Sequence, residues 1–147
     1  MRLWRISNYE TLDGFGGLRA SGRWHNKGRR ILYCATHPAT ALLEMLVHLE
    51  LDIEDMPDTY RLLEINVPDA ISNETIDRSI LKADWRTTLQ STRAIGDAWL
   101  SETRTALLIV PSAIVPADNV LLNPLHPQAS EASIVSIISH PLDARLL

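Results

Sequence analysis

Four short apolar runs limit what this chain can become: Ile31 to Ala35, Leu62 to Val67, Ala106 to Val110, and Ser133 to Ile138. Each is too short for an ordinary helix and rich in β-formers. Pro38, Pro68 and Pro111 close the first three, so they read as buried strands. A further short strand begins at Leu3-Trp4-Arg5-Ile6. Two segments between the strands carry helical spacing. Pro38 suits a first turn with Thr36 or His37 near the cap. The spacing predicts a helix from Ala39 to Leu51, with Leu42, Leu43, Leu46, Val47 and Leu49 on a wide apolar face. A second helix is predicted from Trp85 to Leu100, with Trp85, Leu89, Gly96 and Trp99 on one face. Gly96 inside it costs about 1 kcal/mol relative to alanine, which close packing would explain. Long loops and the lack of βαβ regularity favour an α+β fold over a doubly wound one. No repeat, linker or low-complexity tract divides residues 1–147, so one domain is expected.

Composition narrows the function classes. The chain has 147 residues, 46% of them hydrophobic, enough for one sizeable core. Its formal net charge of −4 argues against affinity drawn from a phosphate backbone, so no direct nucleic-acid partner is expected. No apolar run approaches the roughly 18 residues that span a bilayer. The start, MRLWRISNYE, lacks the apolar stretch of a secretory signal. Cys34 is the only cysteine, which suits a reducing cytoplasm.

The residues able to carry chemistry are scattered. Asp13 to Gly28 holds five of the six glycines, but neither a dinucleotide fingerprint nor a phosphate-binding GK[ST] loop is present. This segment is either a surface loop or one that folds over a ligand and carries Arg19 and Arg23 to it. Arg23, between Gly22 and Trp24, offers a planar fork that grips phosphate bidentately. Tyr33 lies within an apolar strand, as a core residue or as a pocket wall that stacks on a flat heteroaromatic. Glu44 and His48, one helical turn apart, mark a solvated stripe or place a carboxylate where positive charge develops. No third ligand at a recognised spacing makes them a metal site. Ser112 follows a strand without a nucleophile elbow around it. Asn123 and His126 sit in a Pro-flanked turn, where such residues often bond their own backbone.

Taken in order, these residues resemble the RES domain, a bacterial toxin family named for its Arg, Glu and Ser. The resemblance runs from Trp4-Arg5-Ile6 through Gly22-Arg23-Trp24-His25-Asn26-Lys27-Gly28 and Ile31-Leu32-Tyr33-Cys34 to Ala41 to His48. It continues through Gly96 to Leu100, Leu108 to Ser112, Asn119 to Pro124, His126-Pro127 and Asp143 to Leu146. It implies a fold similar to the diphtheria-toxin-like ADP-ribosyltransferases, with NAD⁺ as substrate rather than a resident cofactor. It also implies an Xre-like antitoxin that covers the active site.

On that resemblance, Glu44 stabilises the oxocarbenium-like transition state, Arg23 holds the pyrophosphate, Tyr33 stacks on nicotinamide and Ser112 orients the ribose. Arg19, Asn123 and His126 complete the expected NAD⁺-binding set. ADP-ribose passes to water, phosphate or a protein target, and the sequence does not choose. An RNA-cleaving toxin and a non-catalytic interaction module are the rival readings. The acidic balance speaks against the first, and the intact Arg23, Tyr33 and Glu44 against the second.

Overall fold

A computed structural model describes residues 1–49 and 55–147. Seven strands form one mixed sheet: β1 (Arg2–Ile6), β2 (Leu32–Ala35), β3 (Thr59–Asn66), β4 (Asn73–Thr75), β5 (Leu107–Pro111), β6 (Asp118–Leu122) and β7 (Ser133–Pro141). Their spatial order is β4-β5-β6-β2-β1-β3-β7. Only the β4–β5 pair is parallel. Three helices accompany them: α1 (Gly16–Arg19), α2 (Pro38–His48) and α3 (Gln90–Glu102). The α+β class expected from the sequence is the one found. None of the described helices is long and apolar enough to cross a membrane.

Period-two alternation divides the sheet into two buried faces. Leu32, Cys34, Leu107, Val120 and Leu122 point to one, where Leu3, Leu63 and Ile65 join them. Leu108, Val110 and Leu121 point to the other, against Trp24, Trp85, Trp99 and Leu100. On this second face Ala35 and Leu62 meet Ala41 of α2. The helices therefore bring their polar residues to the side of the sheet that also carries Asn119.

Several elements differ from the sequence reading. The second helix begins at Gln90 rather than Trp85. The amides and hydroxyls of Thr87 and Thr88 all donate to the Asp84 carbonyl, and this local turn competes with helix there. β6 was not expected as a strand, although it fills a central position between β5 and β2. With three apolar residues after Asp118-Asn119, it carries too little pattern to stand out. β4 is shorter still, and the glycine-rich segment contains the single turn α1. The cap of α2 is His37, whose Nδ1 accepts from the Ala39 amide at 3.0 Å. The expected end of that helix, residues 50 and 51, lies outside the described residues.

Candidate active site

The site is built where α2 crosses the second face of the sheet. β-pairing puts Asn119 beside both Ala35 and Val110. Ser112 lies one residue beyond the end of β5 and is buried. Glu44 descends onto these two residues from α2. Its Oε1 accepts from Asn119 Nδ2 at 2.8 Å and from the Ser112 hydroxyl at 3.1 Å. The Ser112 oxygen accepts in turn from the Ile114 and Val115 amides, at 3.1 and 3.4 Å. Ser112 is thus held by its own turn and aims its proton at the carboxylate. Among the described residues no side chain or amide donates to Glu44 Oε2. One oxygen is anchored and the other is left for a ligand. Asn119 Oδ1 is buried with no partner among the described residues. Such an atom forfeits about 1–3 kcal/mol and persists where function requires the group's orientation.

The positive pole comes from the segment around Arg23, which α3 holds from several sides. Thr92 Oγ1 donates to the Arg23 carbonyl at 2.7 Å, and Arg93 Nε donates to the Gly22 carbonyl at 2.8 Å. Asp97 accepts from the Asn26 amide and side chain, at 3.1 and 2.8 Å. Gly96 allows the approach, since a Cβ there would stand 1.6 Å from the Trp24 carbonyl oxygen. The Arg23 side chain is half-buried and donates to the Trp85 carbonyl at 3.1 Å. Burial lowers its pKa, the fields of Glu44 and Tyr33 raise it, and Arg93 lowers it. Two guanidinium groups thus share this corner, and among the described residues neither makes an ion pair.

Tyr33 and His25 shape the floor beneath this loop. A neutral His25, protonated on Nε2, accounts for every contact. Nε2 then donates to the Gly17 carbonyl at 3.2 Å, and Nδ1 accepts from the Gly22 amide at 3.2 Å and the Tyr33 hydroxyl at 2.7 Å. Burial lowers the His25 pKa, in keeping with that tautomer. The Tyr33 oxygen accepts from the Trp24 amide at 3.0 Å. Burial raises the Tyr33 pKa, so the hydroxyl stays protonated. A Cβ on Gly22 would lie 2.4 Å from that hydroxyl, so the backbone rests on the ring.

The structure brings Arg23, Tyr33, Glu44 and Ser112 to one side of the sheet and leaves three expected residues elsewhere. Arg19 is exposed, its guanidinium 4.5 Å from the Phe15 ring centre on the outer rim. Asn123 is buried beyond the far end of β6, four residues and roughly 13 Å from Asn119 at strand spacing. It donates to the Leu100 carbonyl and accepts from the Leu125 amide. His126 caps the following turn by accepting from the Gln128 amide. Both carry the local backbone bonds that a Pro-flanked turn favours. Asn119 and Arg93 were not singled out from sequence. Asn119 lay in an unrecognised strand, and Arg93 is an ordinary arginine until α3 docks. Cys34 is a buried core thiol with its pKa pushed up to about 11 by burial.

The RES domain model matches residues 2–144. The chain belongs to the RES domain family. Toxin Res of Pseudomonas putida is 50% identical over 135 residues, covering 91% of this chain and 92% of that protein. The Prs ADP-ribosylating toxin of a Sphingobium species is 36% identical over 155 residues, covering 98% and 95%. The crystal structure of the M. tuberculosis MbcT–MbcA toxin–antitoxin complex contains a chain similar to this one, with a TM-score of 0.74 and 19% identity. That match covers 99% of this RES chain and 85% of the other. The α+β arrangement is thus shared with that chain.

Proposed function

We propose that this RES chain is a toxin that cleaves the nicotinamide–ribose bond of NAD⁺. The observation that carries the reading is the half-engaged carboxylate of Glu44. Its Oε1 is anchored by Asn119 and Ser112, and Arg23 stands in its field. A negative pole and a positive pole on one face suit a substrate with a cationic nicotinamide-ribosyl end and an anionic pyrophosphate.

Nicotinamide departs with the bonding electron pair, and positive charge develops on the ribosyl C1. The fixed carboxylate stabilises that charge without having to reorganise, a contribution of about 3–4 kcal/mol for one preorganised contact. Arg23, with Arg93 beside it, holds the pyrophosphate. The ring of Tyr33 packs near nicotinamide while its hydroxyl keeps the Gly22–His25 turn in place. Ser112 acts as a positioning residue for Glu44 and the ribose. Arg19 meets NAD⁺ only from the exposed rim, and Asn123 and His126 act on the turn beyond β6 rather than on the substrate. Loss of nicotinamide as a neutral molecule requires no metal and no resident cofactor.

The acceptor of ADP-ribose is a protein target, phosphate or water. An ADP-ribosylating relative supports the first of these. One RES domain over residues 1–147 carries the activity, in the cytoplasm, restrained by an Xre-like antitoxin that fills the NAD⁺ cleft. The neighbouring fold taken from a toxin–antitoxin complex supports such a partner. Mass spectrometry of NAD⁺ incubated with the pure protein tests the reading, with and without phosphate and cell lysate. Free nicotinamide with matching ADP-ribose, its phosphate or a modified protein is expected. Intact NAD⁺ in all three conditions overturns it.

A further inference from the structure

Beside the Glu44 network runs a groove lined by basic side chains. Two adjoining cavities of about 240 and 270 Å³ share Arg78, Arg86 and Pro111 in their walls. Lys82 lines the first and Ser112 the second, so the groove ends at the residue that donates to Glu44. Two of its cations have partners. Arg78 pairs with Asp118 at 2.8 Å, and the Arg86 guanidinium sits 4.6 Å from the Trp85 ring centre. Among the described residues, neither Lys82 nor Arg86 has a carboxylate partner. Arg23 approaches the same Trp85 ring at 5.8 Å, so the groove adjoins the proposed pyrophosphate corner.

The groove's occupant follows from its chemistry. On a chain of net charge −4, Lys82 and Arg86, without carboxylate partners among the described residues and set beside the Arg78–Asp118 pair, make a local reversal that draws an acidic partner to this place and repels it from others. A free inorganic anion would fill little of either cavity and gain nothing from the apolar Leu81 and the exposed Ile114 that also line them. A peptide with acidic and apolar side chains satisfies both. We infer that the Arg78–Lys82–Arg86 groove docks an acidic segment of the protein that receives ADP-ribose. This inference rests on the NAD⁺-cleaving reading above. A segment seated there presents a hydroxyl side chain toward Ser112 and Glu44. Its oxygen lone pair forms the new bond to the ribosyl C1 as the bond to nicotinamide breaks, nicotinamide keeps that electron pair, and the hydroxyl proton passes to the Glu44 carboxylate or water.

The test uses a fluorescent peptide of alternating acidic residues and leucines with one serine, titrated by anisotropy against the whole protein. Wild type should bind it. Lys82→Glu/Arg86→Glu should weaken binding at least tenfold and prefer the same peptide with lysines in place of the acids. Lys82→Glu alone, at an exposed position, should show the same direction if the double variant folds poorly. Saturating ADP-ribose should leave wild-type affinity unchanged, and addition of NAD⁺ should add one ADP-ribose mass to the serine. Binding indifferent to Lys82, or displaced by ADP-ribose, overturns the groove, the latter assigning it to the donor's phosphates. Binding without the mass gain overturns the acceptor assignment and makes the groove a seat for an inhibitory partner. Nicotinamide release in the same samples separates the two levels. Its absence overturns the enzymatic reading, whereas release with groove-independent binding overturns this inference alone.

Discussion

Ser112 donates its hydroxyl proton to Glu44 across 68 residues of sequence, at 3.1 Å, while its own oxygen is held by two backbone amides. The serine therefore positions the carboxylate and is not poised as a nucleophile. Asn119 performs the same task more closely, at 2.8 Å. A hydrogen bond to a charged group contributes about 1.5–3 kcal/mol. Asn119→Ala should lower kcat by roughly 10- to 100-fold with a smaller change in KM for NAD⁺. Asn119→Asp places a second carboxylate against Glu44, where each like charge disfavours the ionised form of the other. A pH–rate profile of this variant should show a new acidic-to-neutral transition absent from wild type. Unchanged kinetics in both variants would detach Asn119 from the site.

Arg23 and Arg93 form a corner of positive charge without an ion pair among the described residues and should behave differently on substitution. Arg23 acts through its fork, so Arg23→Lys should resemble Arg23→Ala in NAD⁺ affinity more than retained charge would suggest. Arg93→Lys keeps the charge but alters the bond to the Gly22 carbonyl, and Arg93→Gln removes the charge. For Arg93 the lysine variant should hold NAD⁺ better than the glutamine variant. Isothermal titration with ADP-ribose compares all four. Full rescue at Arg23 by lysine would reduce Arg23 to a distant charge.

Much of the fold was legible because apolar runs ended by proline leave few options. Ile31 to Ala35, Leu62 to Val67 and Ala106 to Val110 each correspond to a strand within a residue or a few. Resemblance singled out Arg23, Glu44 and Ser112 as candidates, but no local pattern could join them. Glu44 meets Asn119 only because β6 runs between β5 and β2, a long-range pairing that a five-residue segment does not announce. Arg93 acquires its place from the docking of α3, which Gly96 permits.

That docking is itself testable. A Cβ at Gly96 would overlap the Trp24 carbonyl oxygen, a backbone atom that cannot rotate away. Overpacking of this kind costs about 1–3 kcal/mol, occasionally more. Gly96→Ala should lower Tm and displace the Arg23 segment, raising KM for NAD⁺. Denaturant unfolding checks the first effect. A stability equal to wild type would mean that α3 does not clamp the loop.

His25 gives the protein an acid limit. Burial lowers its folded pKa below the model-peptide value of 6.5. The unfolded chain therefore takes up the proton first as pH falls, and stability rises with pH in this window. His25 should contribute its full stability above about pH 6.5 and lose it progressively below that, toward its depressed folded pKa. Protonation of Nδ1 would also remove the acceptor for the Tyr33 hydroxyl and the Gly22 amide. Urea unfolding from pH 7.5 to 5 should show a decline that is shallower in His25→Gln. Parallel profiles would exclude His25 as its source.

In the proposed reaction the Glu44 carboxylate drives loss of nicotinamide from NAD⁺. Glu44→Gln keeps an oxygen that accepts from Asn119 and Ser112, so it removes charge with little change in shape. Steady-state nicotinamide release by this variant and by wild type tests the claim most directly. In Glu44→Gln, kcat should fall by roughly 100-fold or more with KM little changed, as expected when transition-state stabilisation alone is lost. Near-normal turnover in Glu44→Gln, or a loss confined to KM, would contradict it.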